Sequence, residues 1–171
     1  TPLAIFGSLF HMINHAMVKT LMFFTSGNLA LKFHTKDMEH IKGAVQIMPV
    51  SGIVLLIGGL ALAGSPPFSI FVSEFYIVTG AVQGNHWLAA ALFVLFLTII
   101  FGGLTHHLIQ MGIGSDENSS RAISKGEIGR SSVLALLVPL TMICLLGVFI
   151  PAPLHHLINQ AANVISAGNT P

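Results

Sequence analysis

Long apolar stretches alternate with short polar segments along this chain, and several stretches reach the length of a membrane span. The clearest cover residues 3–31, 87–111 and 132–150. A helix needs about 20 mainly apolar residues to cross a hydrocarbon core of about 30 Å. The pattern therefore predicts an all-α fold, a polytopic transmembrane helical bundle over residues 1–151.

The remaining apolar stretch, residues 46–84, is too long for one ordinary span. As one continuous helix it would measure about 58 Å. Proline lacks a backbone N–H, and a residue that precedes proline avoids helical geometry, so we predict a helix break at Ser65, Pro66 and Pro67. The stretch forms either a hairpin of two short spans or one crossing built from two half-helices.

The basic residues distinguish these two topologies. Six of the seven lie in two loops, 32–44 and 112–130: Lys32, Lys36, Lys42, Arg121, Lys125 and Arg130. The positive-inside rule makes both loops cytoplasmic. They share a side only if residues 46–84 cross once, so we expect one discontinuous helix in a multi-pass protein of the cell (inner) membrane. Broken helices of this kind mark ion and substrate sites in transporters.

Composition excludes several classes of protein. Hydrophobic residues make up 53% of the 171 residues and charged residues 8%, which excludes a soluble globular domain. The net charge of +1 offers no basic surface for nucleic acid. The single cysteine, Cys144, excludes an intrachain disulfide. Residues 152–171 have the spacing of an interfacial helix and tail. The start at Thr1-Pro2 leads us to expect a C-terminal portion of a longer protein.

Two charged residues lie inside apolar stretches, whereas the other eleven lie in the loops. These are Lys19 and Glu74, and both fall near the predicted membrane midplane. A charge there costs about 2.5–3.5 kcal/mol on insertion scales, so each is a candidate for ion translocation. The alternative is a structural Lys19–Glu74 ion pair that joins two helices.

His11, His15 and Lys19 follow each other at helical spacing, and we call these three residues the polar row. Imidazole titrates near physiological pH, so such a row can pass protons in steps. The alternative is a polar stripe that only binds a neighbouring helix. No three of the histidines form a metal-ligand set along the sequence, and a histidine pair holding a haem is a weaker interpretation.

Two segments resemble a known superfamily. These are His11–Gly27, HMINHAMVKTLMFFTSG, and Gly64–Phe75, GSPPFSIFVSEF. They are similar to the antiporter-like membrane subunits of complex I, Mrp-type sodium/proton antiporters and group 4 [NiFe] hydrogenases. Lys36–Gly43 and Met48–Val50 make the chain look most like component F of hydrogenase-4. Formate hydrogenlyase is a related assembly.

The resemblance implies specific roles and partners. It would place His11, His15 and Lys19 on a hydrophilic axis through the membrane, and Glu74 on a discontinuous helix near the exit. It implies no catalytic residue and no cofactor in this chain, with Fe–S and Ni–Fe or flavin groups in partner subunits of an oxidoreductase. Implied partners are other membrane subunits, an upstream antiporter-like segment, a peripheral redox arm and lipid.

The leading functional hypothesis is therefore a proton or sodium translocating subunit that supplies the exit half of an ion path in a redox-driven complex. The alternative is a structural membrane anchor for a hydrogenase or quinone-reductase arm, with an inert buried Lys–Glu pair.

Overall fold

The computed structural model describes residues 1–115 and 123–167, and within them the chain is helical with no strand. A 3₁₀ turn, Met38–His40, lies between the first two helices. The α-helices are α1 Pro2–Phe33, α2 Ala44–Ile47, α3 Pro49–Leu62, α4 Ser69–Gln83, α5 Trp87–Ile113, α6 Arg130–Val148 and α7 Ala152–Ala167. Arg121 and the predicted tail at 168–171 lie outside the described residues.

Local chemistry sets several helix ends. The Thr1 side chain accepts a hydrogen bond from the Ala4 N–H at 3.3 Å, and Pro2 occupies the first turn of α1, where its missing N–H costs nothing. His34, the residue directly after α1, adopts the left-handed conformation common at helix C-termini. Pro49 opens α3 in the same way that Pro2 opens α1.

The helices differ in their suitability to cross a membrane. α5 and α6 have the length and the apolar character of spans, whereas α3 and α4 are shorter apolar helices. α1 has 32 residues, which is about 48 Å of helix, but its polar residues make it less apolar than α5 or α6. The bundle thus combines two apolar spans with one long helix of mixed character.

α3 and α4 lie end to end along α1. The α1–α4 contact is the most extensive helix pair in the described chain. Gly80 of α4 packs against Ala4, and further along α1 the Gly58 position of α3 faces Leu21. Since α3 and α4 make few contacts with each other, the two short helices follow one another antiparallel to α1.

Glycine permits the close approach of α1 and α4. A Cβ added at Gly7 would lie 2.8 Å from the Ile77 backbone nitrogen, and one at Gly80 would lie 2.5 Å from the Ala4 nitrogen. Small residues at such contacts let membrane helices approach until their backbones touch. The register between α1 and α4 is therefore tightly defined, and it decides which polar side chains meet.

The segments that contain the two predicted basic loops meet at one end of the bundle, which we call the loop end and define as residues 34–48 and 123–129. The Gly126 N–H donates to the Ile47 carbonyl at 2.8 Å, and Lys32 Nζ donates to Ser124 Oγ at 3.4 Å. At the opposite end Gly84 lies beside Thr1. α3 and α4 therefore lead from the loop end to the opposite end, and α5 leads back to the loop end before α6 begins.

Glu127 joins the loop end to the start of α3. Its Oε1 accepts hydrogen bonds from the backbone N–H groups of Val50 at 2.8 Å and Ser51 at 3.1 Å, and its Oε2 accepts from Ser51 Oγ at 2.6 Å. The first N–H groups of a helix have no partner within that helix, and a carboxylate there also complements the helix dipole. Glu127 is thus a cap for α3 supplied from 76 residues away.

α7 folds back onto the start of α1. Ile158 and Ala162 are buried in a cluster with Phe6 and Phe10, and the rings of Phe6 and His155 lie 5.2 Å apart. The predicted interfacial helix therefore packs against the bundle through Ile158 and Ala162, and the more accessible His155 and Asn159 lie at the edge of the same contact.

Candidate functional site

Two polar side chains of α1 bind the first turns of α4. His11 Nδ1 lies 3.0 Å from Ser73 Oγ, and Asn14 Nδ2 donates to the Ser69 carbonyl at 3.0 Å. Asn14, Ser69 and Ser73 are fully buried. The polar row therefore meets α4 directly after the non-helical segment at 63–68, where α4 begins.

The polar row turns away from α4 as it proceeds along α1. The His11 and His15 rings stack at 5.6 Å, but Lys19 is exposed, on the same side of α1 as Met12 and Phe23. Each step of four residues advances about 40° around a helix with 3.6 residues per turn. Lys19 therefore lies about 80° around α1 from His11. The shared role of the three residues in ion translocation stays a prediction.

Glu74 lies on the side of α4 that faces α5. Its side chain is 8% exposed and opens into a cavity of about 340 Å³ between α4 and α5. The cavity is lined mainly by apolar side chains, including Phe71, Phe75 and Phe101, and by Thr98. Phe71 and Phe75 line this cavity and remain exposed.

Gly64 brings the carboxyl of Glu74 to the end of α3. Gly64 has a φ of 75°, and an added Cβ there would overlap Glu74 Oε2. Only a residue without a side chain combines this left-handed backbone with so close a contact. The carbonyl groups at the C-terminus of α3 carry the negative end of its helix dipole. The carboxyl oxygens of Glu74 and the carbonyl groups at the end of α3 therefore both contribute negative potential beside Gly64.

The backbone between α3 and α4 is satisfied by only a few local bonds. The Ser65 N–H donates to the Leu60 carbonyl and the Phe68 N–H donates to the Ser65 carbonyl, each at 3.1 Å. Pro66 and Pro67 contribute no N–H. Gly147 of α6 lies directly against the Pro67 carbonyl. Ser65, Pro66 and Pro67 therefore lie in irregular backbone, in which Pro66 and Pro67 are exposed and the Pro67 carbonyl meets α6 at Gly147.

Lys19 and Glu74 form no ion pair in the described chain, where the single ion pair joins His40 to Asp37 at 2.9 Å. That pair lies at the loop end, where a hydrogen bond from the Glu39 N–H, and then the His40 ring, hold the pKa of Asp37 below its usual range. The structural Lys19–Glu74 ion pair that the sequence left open as an alternative is therefore absent, and Lys19 is exposed whereas Glu74 is buried.

Sequence reasoning missed Ser73, Gly64 and Glu127 as parts of the site or of its support. Ser73 and Glu127 act on residues 62 and 76 positions away, and such pairings leave no local pattern. Gly64 carried a signal, because a glycine directly before Ser-Pro-Pro favours a left-handed residue at a helix end. Among the residues described, no group of three metal-ligating side chains comes together.

Residues 1–102 match the family described as NADH:quinone oxidoreductase/Mrp antiporter, transmembrane. The chain belongs to this family. Its match includes the polar row, Glu74 and the segment between α3 and α4, so the superfamily resemblance of the two motifs is confirmed. The chain is thus an antiporter-like membrane subunit with a helical fold.

Individual members of the NADH:quinone oxidoreductase/Mrp antiporter family extend the match beyond residue 102. The chain is 33% identical over 149 residues to the hydrogenase-4 component F homolog of Methylacidiphilum infernorum (isolate V4). It is 28% identical over 149 residues to a protein provisionally named antiporter subunit mnhD2 from Staphylococcus aureus (strain JH9). Each alignment covers 87% of this chain and 30% of the relative, so the chain spans about a third of their length.

Proposed function

We propose that this chain carries part of a proton or sodium ion path in a redox-driven membrane complex. The observation that carries the proposal is the carboxyl of Glu74, which is buried in an apolar cavity with no charge partner among the described residues. An ionised group in such surroundings is strongly disfavoured, so it is retained where its function requires it. A cavity at a helix break is also the usual location of ion sites in transporters.

Residues 49–83 form one discontinuous membrane crossing in this proposal. The end-to-end arrangement of α3 and α4 along α1 supports it, since together they match the length of the single helix beside them. The irregular backbone at 63–68 then lies at membrane depth. Such backbone is tolerated only where protein or a polar cavity satisfies its carbonyl groups.

We expect the loop end to be cytoplasmic, and cysteine labelling measures this directly. In a Cys144→Ser background, exposed sites at the loop end, Glu39→Cys and Lys125→Cys, should react with an impermeant maleimide from one side. His86→Cys, at the opposite end, should react only from the other side. Reaction of Glu39→Cys and His86→Cys from the same side would contradict the single crossing.

The exposed position of Lys19 supports a larger assembly. A lysine near the membrane midplane is too costly to leave against lipid, so the face of α1 that carries Lys19, Met12 and Phe23 requires another protein segment over it. We infer that an upstream antiporter-like segment or another membrane subunit covers this face, and that a redox arm supplies the energy. The hydrogenase-4 name of one relative is consistent with a hydrogenase arm.

Lys19→Met tests the proposal. We expect the complex to assemble and its ion uptake into proteoliposomes to fall at least about tenfold, because a titratable group in the path is lost. Redox turnover, measured in parallel, separates transport from electron transfer. Lys36→Met, which removes an exposed lysine at the loop end, is the matched control and should pump normally. Normal uptake by Lys19→Met would favour the structural anchor instead.

A further inference from the structure

The Ser73 hydroxyl group makes two hydrogen bonds, but its single hydrogen can be donated in only one of them. Its Oγ lies 2.7 Å from the Ile70 carbonyl oxygen and 3.0 Å from His11 Nδ1. Serine has one O–H donor and two acceptor lone pairs. The carbonyl of Ile70 can only accept, and two oxygens at 2.7 Å repel each other unless a hydrogen lies between them. The Ser73 hydrogen therefore points to Ile70.

That assignment determines the state of His11. With its hydrogen directed to Ile70, Ser73 Oγ can only accept from His11, so His11 Nδ1 must carry the proton. The partner of one ring nitrogen thus decides which nitrogen remains available for proton transfer. In the neutral ring this leaves Nε2 as the atom that binds a further proton.

We propose that Ser73 is a positioning residue that holds His11 as the Nδ1–H tautomer, so that His11 both takes up and releases its transported proton at Nε2. This inference rests on the proposed function, since it assigns the proton-binding atom of one member of the polar row. Ser73 does not itself relay the proton, because its hydrogen is directed to a carbonyl group that has no proton to pass on.

The surroundings keep this geometry in place. Asn14 holds the Ser69 carbonyl one turn before Ser73, and the Gly7 contact fixes the register of the next turn. Ser73 is fully buried, so no solvent competes for its oxygen. His15, stacked on His11, is the adjacent titratable residue on α1. The α1–α4 register that the glycine contacts define therefore keeps Ser73 within hydrogen-bond distance of His11.

The decisive experiment compares Ser73→Thr with Ser73→Val in the whole complex. The two side chains have the same shape and differ in the hydroxyl group, so any packing cost is shared. We expect ion uptake per redox turnover to be about tenfold lower in Ser73→Val than in Ser73→Thr, the effect of one hydrogen bond to a group that becomes charged. Ser8→Ala, which removes an exposed serine bonded only to its own helix, is the control.

A double-substitution test covers the case in which neither bulky variant assembles. Ser73→Ala should reduce uptake in the native background but should have no further effect when His11→Phe is already present. Additive effects, or equal uptake by Ser73→Thr and Ser73→Val, would overturn the positioning role. If His11→Phe alone pumps normally, the polar row itself fails, and with it the proposed path.

Nitrogen-15 spectra of histidine-labelled complex provide a readout that packing alone does not change. The signals that disappear in His11→Phe belong to His11. They should have the shifts of a neutral ring protonated at Nδ1, and those shifts should change in Ser73→Ala. An Nε2–H ring in the native complex would disprove the inference.

Discussion

Glu74→Gln is expected to leave the complex assembled and to reduce ion uptake by about a hundredfold or more, the usual contribution of a positioned proton-transfer group. The amide has nearly the size of the carboxyl but cannot titrate. Because Glu74 has no charge partner in the described chain, its neutralisation leaves no buried counter-charge behind, and the fold should tolerate it. The measurement is ion uptake into proteoliposomes with redox turnover followed in parallel.

Two further variants serve as comparisons for Glu74→Gln. Glu39→Gln changes an exposed carboxyl at the loop end and should pump normally. The double variant Lys19→Met with Glu74→Gln should remain inactive. Because Lys19 and Glu74 form no ion pair, neither single change leaves an unpaired buried partner, and the single and double variants should all assemble. Near-normal uptake by the double variant would therefore refute the transport role.

Gly64→Ala is expected to have the second largest effect, with a loss of uptake of at least about tenfold. The added methyl group would overlap Glu74 Oε2, and a left-handed φ of 75° costs an alanine about 1–2 kcal/mol. The carboxyl must then leave the end of α3. Gly102→Ala and Gly103→Ala are matched controls, since a Cβ at either position meets nothing within 4 Å. Both should assemble and pump like the native complex.

Gly64→Asn distinguishes the two components of that effect. Asparagine adopts left-handed backbone more readily than alanine but still places a Cβ against Glu74. We expect it to pump as poorly as Gly64→Ala if displacement of the carboxyl is the cause. Recovery of uptake in Gly64→Asn would assign the loss to backbone strain, and native behaviour of Gly64→Ala would show that the contact is not needed.

Periodicity and length predicted the helices closely, because membrane spans must satisfy their own backbone and leave long apolar stretches in the sequence. The four apolar stretches lie within a few residues of α1, the α3–α4 pair, α5 and α6. Charge located Lys19 and Glu74 for a similar reason, since a charged residue in such a stretch is rare enough to stand out.

The sequence did not predict how the side chains of the site are arranged in three dimensions. Spacing placed Lys19 in one row with His11 and His15, but it did not show that Lys19 is exposed while the two histidines are partly buried. Which side of α4 meets α1 depends on the backbone contacts at Gly7 and Gly80, which no local pattern encodes. The contact between Gly64 and Glu74 likewise forms only when both helices are complete.

α3 and α4 are held by different contacts in addition to the α1 surface that they share. α4 is interlocked with α1 through glycine contacts and buried polar bonds, whereas α3 is tethered at its start by Glu127 and lies against α5 through Gly59 and Leu108. The Glu127 bonds and the α1–α4 polar bonds therefore attach the α3–α4 pair on either side of its non-helical segment. The Gly64–Glu74 contact lies between these two attachments, so the position of the buried acid depends on both of them.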